Sequence, residues 1–316
     1  MVQEVSFSFF PGCLIRSRLP HLEKSARVVL EKFHVTLAEL KEATCCPNPI
    51  YFRDLNQETW LTLAARNLSL LTGDGKPMMT LCSGCYNTFR ECEHTLAANQ
   101  RLRKEIAQNL ENIGREYVPD KGVEHIAPFL YEKIGPDRLA TQVIRPLKGM
   151  KVAFHHGCHF IRPSHLHQFD DPDHPTKMEA LIRALGADVV DFPRKMLCCG
   201  LTVMGVDPDL SQQMGFEKLR LMKAEGAEAV VLACPSCMLQ FDHNQRLIES
   251  KFDTKLSLPV FFLTEIIGLA LGESPETLGL EQHRVDVLPL VRRLLLQEEK
   301  KTVKRLGLNN RPLLQE

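Results

Sequence analysis

Ten of the eleven cysteines in this 316-residue chain repeat one pattern: a single cysteine, an adjacent pair, then Cys-x-x-Cys. The first set is Cys13, Cys45, Cys46, Cys82 and Cys85; the second is Cys158, Cys198, Cys199, Cys234 and Cys237. In the first set 31 residues separate the single cysteine from the pair, and 35 separate the pair from Cys82. In the second the corresponding gaps are 39 and 34. Equivalent cysteines lie 145 to 153 positions apart, the mark of an internal duplication rather than a short solenoid repeat. Cys92 alone has no counterpart.

Thiolates grouped in this way point to metal chemistry. Structural zinc closes at four ligands, so five cysteines per set overfill it. A redox dithiol needs one Cys-x-x-Cys and leaves the rest idle. A cubane cluster also takes four thiolates, usually from a tight ferredoxin run that this chain lacks. Five per set favour an iron–sulfur centre larger, more open or more bridged than a cubane, with structural zinc in one half as the alternative. Adjacent cysteines diverge and do not easily serve one metal corner, but they can serve two neighbouring irons.

The flanking sequence says how such ligands are positioned. Apolar runs enter a Gly-Cys in VSFSFFPGC and KVAFHHGC, and others deliver a Cys-x-x-Cys in MMTLCSGC and AVVLACPSC. Short apolar runs bounded by Gly or Pro read as buried strands. Amphipathic stretches such as HLEKSARVVLEKF (21–33) and LSQQMGFEKLRLMKAEG (210–226) read as helices between them. The expected fold is therefore α/β: two pseudo-symmetric Rossmann-like halves, each with a parallel-rich sheet and flanking helices. The predicted divisions are 1–145, including a helix-rich connection from about Leu96 to Ile144, then 146–285, then a charged helical tail over 286–316. Cys82 and Cys234 are placed at strand ends, with Cys85 and Cys237 in the first helical turn, where partial positive charge favours thiolates. Pro235 suits that turn, since its missing N–H costs little there.

Composition narrows the rest. Lys+Arg and Asp+Glu both number 39, so no basic excess suggests nucleic acid. The apolar segment PVFFLTEIIGLALG (259–272) is too short to span a membrane and carries Glu265. MVQEVSFSFF lacks the basic leader of a secretory signal, which points to the cytoplasm.

The chain resembles the B-type subunits of heterodisulfide reductase, a family with duplicated cysteine-rich CCG domains. The resemblance spans about residues 5 to 285 and rests on all ten cysteines and on TCCPNP (44–49), TWLTLAARN (59–67), CSGC (82–85), HHGCH (155–159), MLCCG (196–200), CPSCMLQFD (234–242) and TEIIGLALG (264–272). It implies two non-cubane 4Fe-4S clusters, one per half, each held by the five cysteines of its set. It implies an oxidoreductase that reduces the coenzyme M–coenzyme B disulfide of methanogenesis, or a related small-molecule disulfide, to two thiols. One electron would come from each cluster, with substrate between the halves and touching both clusters, iron capturing the thiolates formed, and Cys13, Cys46, Cys158 and Cys199 as catalytic cysteines. No GxGxxG fingerprint or ferredoxin run is present, so electrons would arrive from partners: a C-type iron–sulfur subunit with ordinary 4Fe-4S clusters, and an A-type subunit that carries flavin and iron–sulfur clusters. The alternatives are a related complex acting on another sulfur substrate, or a non-catalytic electron-relay subunit. The chain departs from the expected pattern after Gly200, where LTVMGV stands in place of a more glycine-rich loop.

Other residues carry two readings each. His155, His156 and His159 flank Cys158; His156 and His159 are candidates for proton delivery, against capping or core hydrogen bonding. Arg162 could hold a substrate anion, or form a surface ion pair. Cys92 reads as a packed thiol, Trp60, Leu63 and Asn67 as one packed helix stripe, and His165, His167 and His174 as a solvated loop. Anaerobically purified chain is expected to hold about eight irons, two clusters of four, by iron and zinc analysis. About four irons with one zinc would instead make one set a zinc site.

Overall fold

The computed structural model describes residues 5–72, 75–117, 119 and 122–305. Each half carries a four-stranded, wholly parallel sheet. In the first, β1 (Val5–Phe10), β2 (Val35–Glu39), β3 (Met78–Thr80) and β4 (Val123–His125) lie in the order β2-β1-β3-β4. In the second, β5 (Lys151–His155), β6 (Asp188–Val190), β7 (Ala229–Leu232) and β8 (Val260–Phe262) repeat that order as β6-β5-β7-β8. The central strands are apolar along most of their length and largely buried on both faces, as strands covered by helices on two sides must be.

Parallel neighbours require crossovers, and here helices supply them. Pro20–Glu31 joins β1 to β2 and Gln57–Leu68 leads to β3; Lys177–Ala184 and Pro208–Ala224 take the equivalent places in the second half. Asn56 and Asp207 start the two helices before the Cys-x-x-Cys strands, each accepting a hydrogen bond from an N–H three residues on, at 2.9 Å. Gln57–Leu68 turns Trp60 and Asn67 fully inward, but Leu63 is 37% exposed, so the stripe seen in the sequence is narrower than expected.

Two regions gain detail. The connection from Leu96 to Ile144 is not only helical: after the helix Gln100–Glu111 it contributes β4, which completes the first sheet beside β3. Three residues, VEH, are too short to show a period. The tail forms a helix over Leu288–Arg305, and Val291 and Leu294 near its start are buried against the core. Residues 306–316 of the predicted tail lie outside the described residues.

The halves interlock through side chains. Ser25 and Thr264, both buried, share a 2.7 Å hydrogen bond between the helices Pro20–Glu31 and Leu263–Ala270. Phe160 of the second half, fully buried, stacks on His125 of the first at 5.2 Å between ring centres. His167, read from sequence as solvated, is buried beside Tyr86 and bonds Asn87 at 2.9 Å. Removing the Phe160 ring leaves a cavity at this seam. Phe160→Ala is expected to cost about 3–5 kcal/mol in urea unfolding, and Leu63→Ala about 0.5 kcal/mol or less.

Candidate metal centres

All ten paired cysteines sit just beyond the carboxyl ends of three adjacent strands in each half, where α/β sheets place their sites. Cys13 and Cys158 follow β1 and β5, the adjacent pairs follow β2 and β6, and the Cys-x-x-Cys elements follow β3 and β7. Cys82 and Cys234 are the extended residues that open the helices Ser83–Ala98 and Pro235–Met238, and Pro235 takes the first helical position.

The thiols meet. Hydrogen-bonding contacts run from Cys13 to Cys45, Cys46, Cys85 and Cys82 in turn. A matching run passes from Cys158 to Cys198, Cys199, Cys237 and Cys234. Cys82 also contacts Cys234, so the two sets touch across the pseudo-symmetric seam. Shared protons distribute unevenly: bonds with Cys45 and Cys85 draw Cys46 down to about 6. Bonds with Cys158 and Cys199, with the Gly200 N–H, draw Cys198 to about 2. Their partners Cys85 and Cys158 shift upward, raised first by those same contacts and then by burial. Sulfurs this crowded cannot all ionise unless cations sit among them.

Backbone and side chains outside the sets hold these loops. Gly12 has φ +76°, and a Cβ there would lie 3.1 Å from Cys85 Sγ. Gly200 has φ +89°, and a Cβ there would lie 2.8 Å from the Ser211 carbonyl oxygen, which accounts for glycine after the second pair. In the first half Asn67, fully buried, accepts the Thr44 N–H at 2.9 Å and donates to the Cys45 carbonyl at 3.1 Å. In the equivalent helix of the second half Lys218, 3% exposed, donates to the carbonyls of Lys195 (2.6 Å) and Leu197. Burial lowers Lys218 to about 8 in spite of the nearby thiols. Nothing in the sequence marked Lys218, because a lysine in an amphipathic helix reads as surface.

A cavity of about 340 Å³ opens on the first set. All five of its cysteines line it, while Leu201, Thr202, Gly205, Pro235 and Ser236 of the second half form the facing wall. The Tyr51 hydroxyl donates across it to the Thr202 carbonyl. No cysteine of the second set lines this cavity; Cys198 instead borders a separate one of about 380 Å³ with Arg194 and Lys218.

The histidines divide. His155 is fully buried, its ring nitrogens have no hydrogen-bond partner, and it forms with the Cys199 and Cys237 sulfurs a group whose donor atoms lie within 4.8 Å of one another. His156 turns the other way, with Nε2 3.5 Å from Glu179, which also binds Lys195 at 3.0 Å. His159 is half-buried beside Cys158, and burial lowers it. Arg162 is held by the Pro172 carbonyl and by Asp173 at 2.9 Å. Cys92 packs against the Leu61 carbonyl, with burial raising its thiol, apart from both sets.

Five soft donors in each half, in contact one with the next and several of them at helix starts or against a backbone N–H, fit iron–sulfur ligation better than a closed four-ligand zinc site. If Asn67 and Lys218 each set one pair of cysteines, Asn67→Ala and Lys218→Met are each expected to remove about four irons per chain and spare the other set. Iron analysis of the folded variants checks this, and equal loss from both sets in either variant contradicts it.

The cysteine-rich CCG domain matches twice, over residues 7–90 and 152–242. The B subunit of a ferredoxin/F(420)H(2)-dependent CoB-CoM heterodisulfide reductase from Methanosarcina acetivorans is 37% identical over 280 residues, 88% of this chain and 93% of that protein. An 8-methylmenaquinol:fumarate reductase membrane anchor subunit of Wolinella succinogenes is 28% identical over 90% of this chain and 98% of its own. The crystal structure of a hypothetical protein from Helicobacter pylori shares the fold at a TM-score of 0.74 and 17% identity, over 90% of this chain and 53% of that one. With duplicated domains covering both cysteine sets and 37% identity to the Methanosarcina protein, the chain belongs to the family of heterodisulfide reductase B subunits.

Proposed function

We propose that this oxidoreductase subunit reduces the coenzyme M–coenzyme B disulfide, or a related one, in the cavity between its halves. The observation that carries the reading is the arrangement of five thiols on one wall and second-half residues on the other. In this reading Cys13, Cys45, Cys46, Cys82 and Cys85 hold one non-cubane 4Fe-4S cluster, and Cys158, Cys198, Cys199, Cys234 and Cys237 hold the other. When bound, the clusters supply the two electrons that, with two protons, convert a disulfide to two thiols. The matching division of the chain is 1–145, 146–285 and 286–316.

The chain's own residues shape the rest. Tyr51 and Asn48 offer polar groups at the cavity wall, while Leu201, Pro235 and Pro49 keep it largely apolar and limit water. Contact between Cys82 and Cys234, both buried, means that the residues that would hold the two clusters meet inside the protein, where the clusters could exchange electrons. His156 and His159 flank Cys158 as proton-handling groups; His156 connects through Glu179 to the part-exposed Lys195. Electrons would come from the C-type and A-type partners in the cytoplasm. Among the described residues no helix is long and apolar enough to cross a membrane.

A relay role is the second reading, favoured by the Wolinella relative, whose name assigns it to a fumarate reductase. Assay of the purified complex with the coenzyme M–coenzyme B disulfide separates the two. Cys46→Ser and Cys199→Ser alter different sets, and serine is a poor ligand for iron. Each is expected to abolish disulfide cleavage, with the double variant hardly worse than either, as for residues acting as a unit. Retained turnover in Cys46→Ser after demonstrated loss of its cluster would overturn the two-cluster reading.

A further inference from the structure

We propose that a divalent metal of the zinc class binds a third, cysteine-free site formed by His21, Glu265 and His283, and that it braces the two halves. The three side chains are buried, each no more than 1% exposed. They come from different places: His21 from the first-half helix Pro20–Glu31, Glu265 from the second-half helix Leu263–Ala270, and His283 from the segment that follows it. Their donor atoms all lie within 4.8 Å of one another. His283 Nε2 is 3.1 Å from Glu265 Oε1, and His21 Nε2 is 3.8 Å from the same oxygen. Donors about 2.0–2.2 Å from a tetrahedral ion are about 3.3–3.6 Å apart, so both separations are within a small side-chain adjustment of a shared ion.

Glu265 Oε2 accepts the Phe262 N–H at 2.7 Å, and Oε1 pairs with His283 Nε2 at 3.1 Å, a hydrogen bond that a shared ion would replace. Neither ring nitrogen of His21 has a hydrogen-bond partner, an expensive state for an imidazole this deeply buried. Asp242, fully buried, takes the outer position. Its carboxylate accepts the N–H groups of Arg284 and Val285 at 2.9 Å, and its Oδ1 lies 3.8 Å from His283 Nδ1. That is too long for a hydrogen bond, but a small rotation of the His283 ring onto a shared ion could bring Nδ1 to the Asp242 carboxylate, the partner that a ligand histidine requires.

Charge balance agrees with that geometry. Two buried carboxylates, Glu265 and Asp242, face three imidazoles, because His243 Nε2 also lies 3.7 Å from Asp242. A divalent ion placed among them offsets both carboxylates, with His21 and His283 as neutral ligands.

Iron-replete full-length chain, purified anaerobically and dialysed against zinc, is expected to hold about one zinc per chain beside unchanged iron. Its zinc absorption fine structure is expected to show nitrogen and oxygen at about 2.0–2.1 Å and no sulfur at about 2.3 Å, which separates this site from zinc in a cysteine set. His21→Ala and Glu265→Gln are expected to lose the zinc and keep the iron, while His243→Ala keeps both. No zinc retained by the wild-type chain, a sulfur shell around it, or full retention in His21→Ala overturns the proposal. The wild-type measurements decide the matter even if a variant fails to fold.

Discussion

Ten sulfurs must be brought together beyond the ends of parallel strands, and six of the ten cysteines are buried there. This is the constraint on which the remaining architecture depends. Thiolates repel one another, and burial raises the cost of each charge. The fold meets that cost with helix starts beside Cys82 and Cys234, the Gly200 N–H at 3.4 Å from Cys198 Sγ, and glycines where a side chain would collide. Short strands serve this purpose well. Each of β3, β4, β6 and β8 has only three residues, enough to aim a loop but little more.

Duplication reproduced the frame and let the supports diverge. Asn67 and Lys218 stand in equivalent crossover helices and hold the loops of the adjacent cysteines, one with an amide and the other with an ammonium. An amide satisfies an N–H and a carbonyl at once. An ammonium only donates, so it is restricted to carbonyls, and it adds positive charge beside the second set. The two sets are therefore alike in ligands and unlike in electrostatic surroundings, and such differences shift the potentials of sulfur-ligated centres. They differ in access too, since the inter-half cavity meets the first set alone.

Much of this was legible in the residues. Apolar runs ending in Gly-Cys or Cys-x-x-Cys marked β1, β3, β5 and β7, because a buried strand and its ligand loop leave a local trace. β4 left none: three residues carry no period, and only pairing with β3 makes them a strand. Leu63 was misplaced because the helix Gln57–Leu68 buries a narrow face, a width set by its neighbours. His167, Lys218 and the His21–Glu265–His283 group were invisible for one reason. Each depends on residues far apart in sequence, and a polar residue alone in an amphipathic stretch reads as solvated. The cysteines escaped that limit through repetition, which local pattern can show.

The departure from a glycine-rich loop after Gly200 acquires a physical meaning from where that loop lies. Leu201, Thr202 and Gly205 form part of the second-half wall facing the first-set thiols, and the Thr202 carbonyl receives the Tyr51 hydroxyl. Glycines there would leave a wider, softer wall, whereas leucine and threonine fill volume and fix the backbone through χ1 preferences. On the proposed reading, the loop of the second half selects what enters the cavity, while the clusters of both halves supply the electrons. Selection is thus carried by residues that are not ligands. That separation lets the loop at 201–206 change without disturbing the ligands, provided Gly200 keeps its positive φ and the pair behind it stays in place.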